Sequence, residues 1–222
     1  MICLRNLLFV TLFFTLFLPS HAQRNYDDFN LMGIQGGVSL FDINTSNFVT
    51  ERQTGFAGGF TLRGEFRNQF DLIYGLTFMS NKVGIFGAQT SAEGVKRQFI
   101  SYNIPGVQLN FLGSMNIIRH HFSLEFGPIL NVNGKMKVES AQLEEYILEG
   151  YTTLRAKDIE DISPINFRVM GGVTAGIRNF RFSAQYQYGV TNMLGKLNDK
   201  NLEGGEFKGN SSTIVLLAIV YF

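Results

Sequence analysis

Six charged side chains stand on the inward-turning parity of alternating segments: Arg63, Glu65, Asp71, Glu125, Arg168 and Arg181. Three are cations and three are anions. The chemistry they offer one another is pairing, because a buried charge without a partner costs several kcal/mol. They therefore predict an ion-pair network inside a barrel or sheet. The adjacent His120 and His121 are the other titratable pair of note. Neighbours on a strand point to opposite faces, so the two do not converge on one metal, and no cysteine or carboxylate cluster stands beside them. They read as an interfacial pair at the start of a strand. The glycine-rich string GGFTLRGEF, Gly58 to Phe66, alternates like a strand and leads into no helix, so it is not a phosphate loop. Its glycines ease curvature and close packing. None of these residues forms a catalytic, cofactor-binding or metal site.

The elements that carry these residues are set by composition and patterning. The chain has 222 residues with 19 Lys plus Arg and 18 Asp plus Glu, a formal net charge of +1. That balance argues against a nucleic-acid partner, which normally brings a basic excess. The single cysteine, Cys3, excludes a disulfide scaffold and a thiolate metal centre. Arg5 precedes the apolar run LLFVTLFFTLFL, followed by Pro19 and Ser20-His21-Ala22. The run is about half the ~20 residues of a spanning helix, and the small residues fit an export signal cleaved before Gln23. This predicts a signal peptide over 1–22 and a single domain over 23–222. No later run is long enough for a spanning helix. The remaining choices are a soluble exported protein and an outer-membrane barrel.

Period-two alternation then recurs over 31–41, 56–66, 70–80, 98–112, 122–132, 165–177 and 180–190, with a last segment at 212–222 that is apolar on both parities. These eight strands of about 11 residues match the length of a tilted membrane strand. One parity is aromatic; the other holds Gly, Ser, Gln and single charges. A polar set of small residues cannot make a dry core, whereas the aromatic set suits lipid and its interfaces. Ile73 and Met79 blur the pattern in 70–80. The apolar parity also switches between Ile104 and Val107, which predicts a bulge or bend at Pro105-Gly106.

Connections expected at 67–69, 113–120 and 178–179 are short, and those at 42–55, 81–97, 133–164 and 192–211 are long. Strict alternation of short and long is the outer-membrane arrangement of periplasmic turns and outside loops, with both ends periplasmic. Within the largest loop, SAQLEEYILEG predicts a short helix with Leu143, Tyr146 and Ile147 on one side. The fold expected is an all-β, eight-stranded antiparallel transmembrane barrel of up-and-down order.

Four strings carry a family resemblance: SYNIPGVQLNF (101–111), Glu125-Phe126-Gly127-Pro128, QYQYGVTNML (185–194) and the terminal LLAIVYF. Together they resemble the PorT-like outer-membrane β-barrel proteins of Bacteroidetes. Val190 stands where that pattern has Leu. The resemblance covers nearly all of the chain after residue 22 and carries no catalytic residues. It implies a non-enzymatic barrel, with a C-terminal assembly signal ending in Phe222 that the barrel-assembly machinery reads. It also implies a secretion-related (type IX) envelope partner. A small gated channel is the alternative, although eight strands normally leave an interior that side chains fill. A lipid-modifying enzyme is a further alternative. Such an enzyme needs a histidine base near the outer rim, and the loop pattern puts both histidines at the periplasmic one. A soluble ligand-binding barrel is the structural rival. Outer-membrane lipid is the partner that the aromatic face itself requires.

Overall fold

The computed structural model describes residues 30–222 except 68, 93 and 120. The expected signal segment over 1–22, its cleavage point and His120 lie outside the described residues. Ten strands follow in chain order: β1 (Asn30–Thr45), β2 (Thr50–Arg67), β3 (Phe70–Ser91), β4 (Gly94–Ile118), β5 (Phe122–Asn133), β6 (Lys137–Val138), β7 (Ile147–Leu148), β8 (Ile165–Gly176), β9 (Phe180–Gly189) and β10 (Gly209–Tyr221). Eight of them close a ring in the order β1-β2-β3-β4-β5-β8-β9-β10, each antiparallel to its neighbours. The seam is β1 on β10, from Gly33↔Tyr221 to Thr45↔Gly209. This is the expected eight-stranded up-and-down barrel, and closure removes every edge from its wall.

The two faces divide as the alternation requires. In β9 the outward Phe180, Phe182, Tyr186 and Tyr188 are exposed, while Arg181, Ser183, Gln185 and Gln187 are buried. Phe56, Phe60, Phe126 and Phe167 are also more than half exposed on the outside of the ring. Inward glycines let so few strands curve tightly. A Cβ at Gly37 would collide with the Leu216 carbonyl oxygen of the next strand, and one at Gly59 with that of Leu76. Ile73 points inward and packs with Leu112, Ile129 and Met170. Met79 joins the inward side of β10, where Val215, Leu217, Ile219 and Tyr221 make the lumen wall apolar. That explains why β10 is apolar on both parities.

Three expectations are corrected. No bulge occurs at Pro105-Gly106: β3 and β4 pair without a break from Phe70↔Met115 to Ser91↔Gly94. Even-numbered residues of β4 face inward from Ile100 to Ser114, with Ile100, Tyr102 and Ile104 fully buried above Gln108 and Leu112. What changes at Pro105 is the content of the interior, from apolar to polar, and not the phase of the strand. Secondly, much of the expected loop at 42–55 and 81–97 is strand: β1 runs to Thr45 and β2 starts at Thr50, while β3 runs to Ser91 and β4 starts at Gly94. β4 likewise continues to Ile118 through the turn expected at 113–120. Thirdly, the expected loop helix is a single 3-10 turn, Ala141–Leu143, and Ile147 joins β7 against Ala88 of β3.

Extended strands and long loops together make a second core. Phe41, Ile43, Val83, Ile85, Ile100, Tyr102 and Ile104 of the wall bury against Met136, Tyr146, Leu148, Leu154, Ile159, Leu194 and Phe207 of the loops. Phe48 stacks on Phe207 at 5.7 Å between ring centroids. Tyr102 Oη donates to the Ala156 carbonyl at 3.0 Å. The loops are a folded cap on one end of the barrel.

Candidate functional site: a charged lumen beneath a cap

Inside the ring, β2, β3, β4 and β5 converge near the short-turn end. Arg63 Nη2 donates to Glu125 Oε1 at 2.5 Å and to Ser114 Oγ at 2.9 Å, and Nη1 lies 3.3 Å from Asp71 Oδ2. Arg63, Asp71 and Glu125 are all buried. Ser123 Oγ accepts a longer bond from Nη2, at 3.3 Å. Small hydroxyls alternate with the charges on these strands, and they leave room for a guanidinium to lie across the lumen while offering it acceptors. Arg181 of β9 is buried in the same layer, within electrostatic reach of Arg63, Glu125 and Asp71.

A ladder of amides and hydroxyls fills the middle. Gln35 donates to Thr77 Oγ1 at 2.8 Å, Asn110 to the same oxygen at 3.0 Å, and Gln108 to Gln187 Oε1 at 3.0 Å. The cavity left beside Glu125, Gln185 and Tyr221 is about 10 Å³, close to the smallest space that takes one water.

The six predicted charges thus divide three ways. Arg63, Asp71 and Glu125 form one cluster with Arg181 beside it. Glu65 stands at the rim and pairs with exposed Arg119 at 3.1 Å. Arg168 lies apart toward the cap, its Nη1 3.3 Å from Thr213 Oγ1 and its guanidinium 5.8 Å from the centroid of Phe41. Sequence reasoning missed Arg119, which stood in an expected turn. It also missed the cap core, although its signal was present: Phe41 and Ile43 follow Ser39 on one parity, and Val83 and Ile85 follow Asn81.

His121 is exposed at the short-turn rim, its Nδ1 3.0 Å from the Gly176 carbonyl oxygen. Among the described residues no group of three His, Cys, Asp or Glu side chains comes together. Phe222, two-thirds exposed, also ends at this rim, where its N–H donates to the Met32 carbonyl at 2.8 Å.

Two carboxylates tie the cap loops together. Glu203 accepts from the N–H and hydroxyl of both Thr152 and Thr153, at 2.6–3.0 Å. Those four donors, led by the Thr153 and Thr152 hydroxyls, pull its carboxyl down to about 2. Asp161 bridges Lys200 at 2.6 Å and Lys135 at 3.2 Å. Lys200, and then Lys135, hold it at about 2.

No family model matches the sequence, and a search of curated proteins finds no match. Among solved structures the chain is similar to Neisserial surface protein A, at 12% identity and a TM-score of 0.47, over 86% of this chain and 97% of that one. It is similar to Ail, the attachment invasion locus protein of Yersinia pestis, at 15% identity and a TM-score of 0.47, over 87% and 99%. OprG of Pseudomonas aeruginosa shares 10% identity with a TM-score of 0.47, over 87% and 96%.

Proposed function

We propose that this chain is a non-enzymatic integral protein of an outer membrane. Its barrel is plugged by its own side chains, and its cap is the surface that meets an envelope partner. The observation that carries the reading is the outward belt of exposed Phe, Tyr, Leu and Ile around a closed ring with a polar interior. Water would penalise that belt at roughly 25 cal/mol per Å² of apolar surface, whereas hydrocarbon accepts it. A closed ring also pairs each wall strand with a neighbour on both sides, as a bilayer demands of backbone groups. An outer groove of about 750 Å³, walled by Phe60, Leu62, Tyr74, Leu76, Leu109 and Phe111, suits lipid acyl chains. In this orientation Asn30, Phe222 and the short turns are periplasmic and the cap is outside.

The paired lumen and the folded cap favour the plugged state over the gated channel. The PorT-like resemblance supports a secretion-related (type IX) partner, and the strand ending in Phe222 supports delivery by the barrel-assembly machinery. The test is affinity recovery from detergent-solubilised envelopes with the wild type and with D161A/E203A, which loosens the cap. The proposal expects a stoichiometric partner with the wild type that the variant loses. Recovery of none, or equal recovery by both, contradicts it.

A further inference from the structure

Among the described residues the buried charged side chains are Arg63, Arg168, Arg181, Asp71 and Glu125: three cations against two carboxylates. Both carboxylates belong to the layer of Arg63 and Arg181. Arg168 has neither. It is 1% exposed and makes no ion pair among the described residues; its Nε and Nη2 have no hydrogen-bond acceptor there, a shortfall that Nε and Nη1 of Arg63 and of Arg181 share, but those two have the carboxylates beside them. The contacts it does make are a bond to Thr213, a long one of 3.5 Å to Gln187 Oε1, and the face of Phe41. A guanidinium cannot shed its proton to escape this position, as a lysine can. Phe41 and the cap above it keep bulk solvent from the charge.

We propose that the lumen holds a small monovalent anion, of halide size, against Nε and Nη2 of Arg168. The two free N–H groups form the fork that an anion accepts, and its charge offsets the excess cation of the interior. Multivalent or bulky anions are excluded, because one charge is in excess and the cap closes the end of the barrel. The site lies inside the ring, so it does not depend on the membrane reading or on any partner.

The experiment uses the full-length barrel in detergent. Crystals grown in bromide are expected to show anomalous density within hydrogen-bond reach of Arg168 Nε or Nη2. In solution the urea midpoint of the wild type is expected to be higher in chloride than in gluconate at equal ionic strength, by about 0.5 M. R168Q abolishes that difference and R168K retains part of it. The wild-type measurements stand even if R168Q fails to fold. Equal wild-type midpoints in the two anions, or bromide density only elsewhere, overturns the proposal.

Discussion

At the scale of the residue, the lumen shows how a barrel too narrow for a channel disposes of charge. Arg63 donates from Nη2 to Glu125 and Ser114 and sets Nη1 3.3 Å from Asp71, so its charge is offset locally although its Nε keeps no acceptor among the described residues. Removing one partner of such a set leaves an uncompensated buried charge, which costs about 3–5 kcal/mol, whereas removing all members together costs less. E125Q is therefore expected to destabilise the barrel more than the combined R63M/D71N/E125Q, as read from urea unfolding in lipid vesicles. The glycines act by shape instead. G59A drives a methyl into the Leu76 carbonyl and is expected to lower the urea midpoint, whereas G36A, whose Cβ meets nothing, leaves it unchanged. The charged positions were legible because strand parity dictates which side chains turn inward. Their division into a cluster, a rim pair and the isolated Arg168 was not, because parity fixes a face and says nothing of height along the axis.

At the scale of the element, the strands explain both the success and the failure of alternation as a guide. Seven wall strands lay where a period of two placed them, and the eighth where the apolar run 212–222 did. Their ends did not, because β3 and β4 run on past the belt as far as Ser91 and Gly94. Toward the cap the inside of the wall meets apolar loop residues in place of the polar lumen. The inward parity therefore turns from Gln and Asn to Ile, Tyr and Phe while β3 and β4 keep one register. Read as a bulge at Pro105-Gly106, the switch misleads; read as a change of medium, it marks the height at which the cap begins. I100A removes a fully buried side chain of this core and is expected to cost about 2–5 kcal/mol. It should raise protease sensitivity at 133–164 and 190–208 before the wall unfolds.

The clasps of the cap respond to pH in a defined direction. Asp161 and Glu203 both titrate near 2 in the folded cap, against about 4 in an unfolded chain. Their stabilisation is complete above about 4 and is lost as pH falls toward 2, when protonation breaks the Lys200 and Thr153 contacts. Hydrogen exchange of the two loops is expected to accelerate over that window while the strand amides of the wall stay protected. D161N/E203Q should show the fast exchange already at neutral pH.

At the scale of the whole molecule, two cores of opposite design share one chain. Below, a polar lumen sits within an apolar exterior; above, an apolar core sits beneath polar loops. L76R places a charge on the outer face near mid-belt and is expected to cost about 2–4 kcal/mol if hydrocarbon lies there. T77R enters the lumen and should act by crowding, with no dependence on lipid. In planar bilayers the plugged barrel is expected to give no porin-sized steps; large steady conductance would contradict the closed lumen.

The chain contains no tryptophan, which makes a single introduced indole a clean reporter. F60W sits on the belt and F41W beneath the cap, where Phe41 is fully buried. In vesicles of lipid brominated along the acyl chains, fluorescence of F60W should be strongly quenched and that of F41W spared. An F60W signal indifferent to bromine, in a barrel that is folded, would show that hydrocarbon does not cover the aromatic face.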